Sequence, residues 1–173
     1  MSATNRGSIR VDKDHYPTPI EAVKPLVDRI DFSRVKTFLE PCKGDGRILN
    51  LVPEYVNKYW TEIREGKDYF KTNFSAKIDL IITNPPFSLS MEFLKKSMQE
   101  AHTVCYLQRL NWLGSNIRKD FWQANPPDKL FALSKRPKFL KELGLGNGTD
   151  ATEYGWFIWD YRGVVKGDSI EVI

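Results

Sequence analysis

Cysteine and histidine are scarce: the chain of 173 residues has two of each. Cys42 and Cys105 lie far apart, with no Cys-x-x-Cys pair and no histidine at metal-ligand spacing. This argues against a disulfide-held fold and against a bound metal, and for free thiols in a reducing, cytoplasmic compartment. Long apolar runs are also lacking. Nothing approaches the ~20 residues that cross a bilayer, and residues 1–10 are polar with no secretory apolar region, so no membrane is expected as a partner. Repeats, low-complexity tracts and domain linkers are absent as well. With 41% apolar and 28% charged residues, composition is globular. One domain over residues 1–173 is expected, with residues 1–14 loosely ordered at the start.

A further lack is more informative. The dinucleotide fingerprint G-x-G-x-x-G is incomplete: only Gly44-x-Gly46 is present, in Glu40-Pro41-Cys42-Lys43-Gly44-Asp45-Gly46. Residues 35–39 read as a strand before this turn, and Arg47-Ile48-Leu49 as the start of a helix behind it, so the segment is half of a nucleotide-binding βα unit. Glycines let a backbone approach a ligand closely. Two acids in the turn repel a pyrophosphate, however, and suit a cation. S-adenosylmethionine carries an ammonium and a sulfonium, so Glu40 and Asp45 fit it better than a dinucleotide.

What is present centres on Thr83-Asn84-Pro85-Pro86-Phe87. Residues 78–82 are apolar and β-branched and read as a buried strand, fourth in order. Two prolines cannot continue it, because each lacks a backbone donor. Asn84 and Phe87 are therefore left at a carboxyl end, where open α/β sheets bind ligands. An amide beside an aromatic ring suits a flat, amino-bearing base. The net charge is +4, but residues 85–141 carry ten basic and four acidic residues, a local excess of six. That excess follows the Asn84 motif, where a polyanion would have to lie.

The remaining segments take their places around these two turns. Tyr16-Pro17-Thr18-Pro19 reads as an extended entry to a helix, with Thr18 as cap, Pro19 at the first position and Ile20, Val23, Leu26, Val27 and Ile30 on one face. Residues 58–63 are the second strand candidate. Glu62 there lies about twenty residues past the glycine turn, the spacing at which an acid meets ribose hydroxyls, though a surface glutamate fits equally. Asp68, Tyr69 and Phe70 form a turn able to bracket an adenine ring, or a loop tethered by core aromatics. Residues 90–101 read as a helix capped by Ser90, and 103–107 as the fifth strand. The connection over 109–127 interleaves Asn111, Arg118 and Lys119 with Trp112 and Trp122, which suits a nucleic-acid backbone with unstacked bases; a helix packed on the sheet around 117–122 is the alternative. Residues 129–135, 154–160 and about 170–173 read as further strands. Arg136 and Lys138 lead into a glycine-rich tract, residues 143–150, expected to be a mobile substrate-side loop.

Tyr16-Pro17-Thr18-Pro19, Glu40-Pro41-x-x-Gly44-x-Gly46, Glu62, Asp68 and Asn84-Pro85-Pro86-Phe87, in that order, resemble the S-adenosylmethionine-dependent DNA adenine-N6 methyltransferases. Arg136-Pro137-x-Phe139 and Thr149-Asp150-Ala151-x-Glu153-Tyr154-x-Trp156-Phe157 look like the compact phage-type members. The resemblance implies a class I methyltransferase (Rossmann-like) α/β fold: a mostly parallel seven-stranded sheet with helices on both faces and a reversed last hairpin. It implies S-adenosylmethionine as cofactor, held by Tyr16, Pro17, Thr18, Glu40, Pro41, Gly44, Gly46, Glu62, Asp68, Tyr69 and Asn84. It implies methyl transfer to adenine N6 of DNA, with the flipped base held by Asn84, Pro85, Pro86 and Phe87, in the cytoplasm of a bacterial or phage-infected cell. The chain has no room for the separate target-recognition domain of larger members. Substrate contact would then fall to Phe87, Asn111, Arg118, Lys119, Arg136 and Lys138, or to a partner. An RNA base or a protein glutamine amide is the alternative acceptor, a non-catalytic nucleic-acid-binding module the alternative of another class. Neither residues nor resemblance decide between monomer and homodimer.

Overall fold

A computed structural model describes residues 16–142, 144 and 151–173. The glycine tract, apart from Gly144, and residues 1–15 lie outside the described residues. Seven strands form one sheet in the order β2-β1-β3-β4-β6-β5-β7. They are β1 (Thr37–Glu40), β2 (Asn57–Trp60), β3 (Ile78–Thr83), β4 (Ala101–Arg109), β5 (Lys129–Ala132), β6 (Tyr154–Asp160) and β7 (Ile170–Val172). The pairs β1–β2, β1–β3, β3–β4 and β5–β7 are parallel. β6 runs antiparallel to both neighbours, β4 and β5, which is the reversed hairpin.

Every residue of β3 is buried, as befits a central strand covered on both faces. Alternation splits its side chains between two core layers. Leu80 and Ile82 pack with Phe38 and with Val23 and Leu26 of helix α1 (Ile20–Val27). Ile81 packs on the other face with Leu39 and with Phe93 and Leu94 of α2 (Ser90–Glu100). Trp122 of α3 (Lys119–Ala124) joins that second layer, so the alternative of a helix packed on the sheet holds there, although Ile117 just before it is 96% exposed. The Trp156 indole donates to the Ala22 carbonyl at 2.8 Å and ties α1 to β6. Gly155 is required by space: a Cβ there would sit 2.9 Å from the Phe131 carbonyl oxygen. No helix among the described residues is long and apolar enough to cross a membrane.

Several local expectations are corrected. The strand over 78–83 is third in order, because no strand forms between β2 and β3. The glycine turn opens no α-helix: only a 3-10 turn forms, Leu49–Leu51. Pro53 explains this, since the residue before a proline is driven to extended backbone, and Val52 has φ −77° and ψ 135°. Thr18 does not cap α1. Pro19 takes that position in an extended conformation, which frees the Thr18 hydroxyl for another bond. Ile20 is half-exposed, and Ile30 lies past the helix, in a bridge to Val165. Leu89, not Ser90, precedes α2 as its cap.

Asp79 anchors the amino ends of the central strands. Its carboxylate accepts from the amides of Lys36 (2.8 Å) and Thr37 (3.0 Å), and its own amide donates to the Thr37 hydroxyl. Arg162 pairs with the other oxygen. Burial pushes the pKa of Asp79 up, but the two amides and Arg162 more than offset this and hold it below the usual 3.8. The native state therefore binds this proton less readily than the unfolded chain. Stability from this group is present above pH 3.8 and is lost as pH falls through the native value. Asp79→Asn should lower stability by about 1–2 kcal/mol at pH 7, and the gap from wild type should shrink toward pH 3. Denaturant unfolding at both pH values checks this; a gap independent of pH would refute it.

Candidate active site at the carboxyl ends of β1 and β3

The order of the sheet reverses at β1, which pairs with β2 on one side and β3 on the other. Ligands of open α/β sheets bind at such a switch point. A cavity of about 290 Å³ opens there, bordered by residues 16–18, the glycine turn, Glu62, Asp68–Phe70, Asn84 and Pro86. That is near the lower end of the range for small-molecule sites.

Glu40, the last residue of β1, is 2% exposed. Its Oε2 accepts from the Leu49 amide at 2.9 Å. Burial raises its pKa well above the usual carboxylate value, and the nearby charges of Asp45 and Glu62 add to this. Glu62 follows β2 rather than lying within it. Its carboxylate accepts from the amides of Gly44 (2.8 Å) and Arg64 (3.1 Å), so it braces the glycine turn from behind. Gly44 and Gly46 have φ of 56° and 83°, the left-handed region that favours glycine. Arg47 then joins the turn to α4 (Phe139–Glu142) through ion pairs with Asp45 and Glu142. Cys42 also borders the cavity, but burial pushes its thiol far up, so it is no nucleophile.

Asp68 uses Oδ1 to accept the Phe70 amide at 2.9 Å. Tyr69 is a core residue, 2% exposed, stacked on Phe93 at 5.2 Å with its hydroxyl bonded to Ser97. It forms a wall of the cavity from within, while Phe70 is half-exposed and meets Phe93 edge-on at 4.7 Å. With Ile63, Leu89 and Phe93 these rings give that end of the cavity an apolar lining, beside the Asp68 carboxylate. Ile63, Leu89 and Phe93 escaped sequence reasoning because each reads as ordinary apolar content.

Asn84 stands at the mouth between the two halves. Its Nδ2 donates to the freed Thr18 hydroxyl at 3.2 Å. Its Oδ1 is shielded from solvent and has no hydrogen-bond partner among the described residues. Buried acceptors are normally paired, and leaving one unmade costs about 1–3 kcal/mol. An orphaned acceptor on a residue that borders a cavity invites a ligand donor.

The expected site residues are thus brought together in large part, with exceptions. Gly46, Pro85 and Phe87 do not border the cavity. Phe87 lies beside it, half-buried, 6.0 Å from the Tyr154 ring and 4.8 Å from the Arg109 guanidinium. An aromatic chain continues from Tyr154 to Phe139 (5.2 Å) and to Tyr16 (6.0 Å) at the cavity wall. Asn111, Arg118, Lys119, Arg136 and Lys138 are not in the cavity. Arg118 donates to the Trp112 carbonyl at 3.0 Å, and Arg136 pairs with Glu153. Lys119 borders a separate shallow hollow beside Trp122. Arg109, which sequence reasoning did not single out, ends β4 and lies over the Phe87 ring.

No protein-family model matches the chain, and no curated protein does. Solved structures do match. A candidate RNA methyltransferase from Pyrococcus horikoshii superposes with a TM-score of 0.66 at 14% identity, over 88% of this chain and 90% of that one. A candidate class I S-adenosylmethionine-dependent methyltransferase from Listeria monocytogenes gives 0.61 at 13% identity, over 95% and 67%. The fold is that of the class I methyltransferases. The methyltransferase subunit of a type I restriction-modification system from Streptococcus thermophilus also matches, at 0.62 and 14% identity, over 85% of this chain but 45% of that one.

In this methyltransferase fold the buried Glu40 costs stability whenever it is ionised. Its native pKa is raised, so the folded state holds the proton more tightly. Stability therefore falls as pH rises from about the usual 4.5 toward the native value. Glu40→Gln should melt above wild type at pH 8, with the difference closing toward pH 5. Thermal unfolding at the two pH values measures it, and a variant less stable than wild type at pH 8 would contradict the assignment.

Proposed function

We propose that this chain transfers a methyl group from S-adenosylmethionine to the N6 amino group of adenine in DNA. The observation that carries the reading is the Asn84 Oδ1: a buried, unpartnered acceptor at the end of β3, beside a cavity whose far wall is acidic.

The residues fit the cofactor by charge. Burial raises the pKa of Glu40, and Asp45 and Glu62 stand close enough to raise it further. An ammonium or sulfonium there would be favoured by all three. Tyr16, Pro17, Thr18, Pro41 and Gly44 would complete the methionine side. The second lone pairs of Glu62 remain for ribose hydroxyls, and Asp68 with Tyr69 and Phe70 for the adenine. When bound, S-adenosylmethionine supplies an electrophilic methyl group and leaves as S-adenosylhomocysteine with the C–S electron pair.

The work of this chain is positioning and electrostatics. An adenine amino nitrogen is a weak nucleophile because its lone pair is delocalised into the ring. Asn84 Oδ1 and the Pro85 carbonyl would accept its two hydrogens and draw it toward tetrahedral geometry, directing the lone pair at the methyl carbon. Thr18 would keep the Asn84 amide turned with Oδ1 inward. One N6 proton leaves to water after the N–C bond has formed, since an amide cannot act as a base. Pro86 shapes the mouth, and Phe87 would stack the base.

DNA is favoured over protein by the basic excess that follows Asn84. The methyltransferase subunit from Streptococcus thermophilus belongs to a restriction-modification system, in keeping with a DNA substrate. An RNA base is the second reading: the candidate RNA methyltransferase from Pyrococcus horikoshii is nearly the same size, with 90% of it covered. Radiolabelled methyl transfer to DNA, RNA and protein in parallel separates them. Asn84→Ala should cut transfer by at least 100-fold, about 2.7 kcal/mol of lost transition-state stabilisation, with cofactor affinity nearly unchanged. Transfer at the normal rate would remove Asn84 from the mechanism.

Binding a cation beside Glu40 would release its proton. Cofactor affinity should therefore rise with pH up to the native pKa of Glu40 and level off above it. Calorimetry in two buffers of different ionisation enthalpy should register the proton released by wild type, and none by Glu40→Gln, which should also bind more weakly. Equal proton release by both proteins would discard the role given to Glu40.

A further inference from the structure

Among the described residues, three basic ones border the acidic cavity: Lys43, Arg47 and Arg64. Arg64 is exposed, and Arg47 is engaged by Asp45 and Glu142. Lys43 lies in the glycine turn itself, between Glu40 and Asp45. Its ammonium donates instead to Glu65 Oε1 at 2.5 Å and lies over the Trp60 ring, 3.9 Å from the centroid. The Lys43 side chain is only 17% exposed, so a carboxylate and a ring take the place of water around the charge.

Both partners come from the chain around the end of β2. Trp60 ends that strand, in register with Glu40 of β1. Glu65 closes the 3-10 turn Ile63–Glu65, and a bridge between Glu62 and Lys67 folds this turn back. The Lys43 amide donates to the Thr61 carbonyl at 3.0 Å, which roots the side chain beside them. Lys67 lies over the same indole, at 3.4 Å. The segment thus grips the glycine turn twice: Glu62 takes the Gly44 amide, and Glu65 takes the Lys43 ammonium.

A lysine is a compact charge on a flexible stem. Glu65 does not border the cavity, whereas Glu40 and Asp45 do. Among the charges that act on Glu40, those of Asp45 and Glu62 raise its pKa and that of Lys43 lowers it. An ammonium loosed from Glu65 would be favoured beside those acids. It would then fill the place that a cationic ligand needs. We propose that Trp60 and Glu65 form a clasp that holds the Lys43 ammonium out of the cavity and so reserves the acidic wall for the charged end of S-adenosylmethionine. The inference rests on reading Glu40, Asp45 and Glu62 as the cofactor's cation site. It makes Trp60 and Glu65 positioning residues that act through Lys43.

The test compares affinity for S-adenosylmethionine with affinity for methylthioadenosine, which has the nucleoside but neither ammonium nor sulfonium. Glu65→Gln should weaken S-adenosylmethionine about fivefold, the cost of first breaking one partly exposed ion pair, and leave methylthioadenosine unchanged. Lys43→Met alone should bind both probes as wild type does, because Glu65 already holds that charge away. Combining Glu65→Gln with Lys43→Met should restore wild-type affinity, which the mere loss of a brace on the turn would not allow. Trp60→Leu, which changes no charge, should weaken the cofactor to a smaller extent and be rescued by Lys43→Met in the same way. An unaffected Glu65→Gln or Trp60→Leu, equal weakening toward both probes, or a loss that Lys43→Met does not rescue overturns the clasp. So does a Lys43→Met variant that tightens binding by the factor that Glu65→Gln loses, since the two charges would then act independently. Wild type that does not bind S-adenosylmethionine overturns the cofactor site itself.

Discussion

Two consecutive prolines cannot join a sheet ladder, and the site depends on that constraint. Pro85 and Pro86 end a strand that is otherwise buried along its whole length, and they end it at the point where the sheet reverses its order. The chain must leave the plane there. Asn84, which borders the cavity, is the last side chain before it does so, and its buried amide oxygen has no hydrogen-bond partner among the described residues.

The opposite wall follows from a different constraint. β1 ends in a carboxylate that the fold buries, with a second carboxylate, Glu62, bracing the glycine turn through the Gly44 amide. Burying acid against acid lowers stability unless a cation arrives. The site is therefore electrostatically incomplete at one end and lacks a hydrogen-bond donor at the other. One ligand with a positive centre and another with an amino group would each relieve one of these deficits. The Arg47 pairs with Asp45 and Glu142 connect the acidic wall to α4, and from Phe139 of that helix the aromatic chain runs back to Phe87 through Tyr154.

Much of this was legible in the residues because it depends on short-range chemistry. Prolines stop a strand wherever they fall, an acidic glycine turn rejects phosphate in any context, and β-branched runs make buried strands. The turn at Gly44 and the strand before Asn84 were readable for that reason. The helix expected behind the glycine turn was not found, because Pro53 acts a few residues further on and the periodicity around Arg47 carried no sign of it. Thr18 was read as a cap because its sequence neighbours suit one; its bond to Asn84 spans 66 positions. The apolar lining that Ile63, Leu89 and Phe93 add beside Phe70 comes from separate segments, each unremarkable alone.

The sequence by itself determined that β3 stops before Pro85 and Pro86 and that an amide and an acidic glycine turn stand at two strand ends, because backbone donors and φ restriction are local properties; the class I methyltransferase sheet was what the resemblance of those motifs implied. Only the tertiary structure decided that Glu40 is buried while Asp68 is not, that Glu62 braces a turn, and that Arg109 lies on Phe87. Those outcomes depend on the order of strands across the sheet, which brings residues far apart in the chain within a few ångströms and sets the dielectric around each charge.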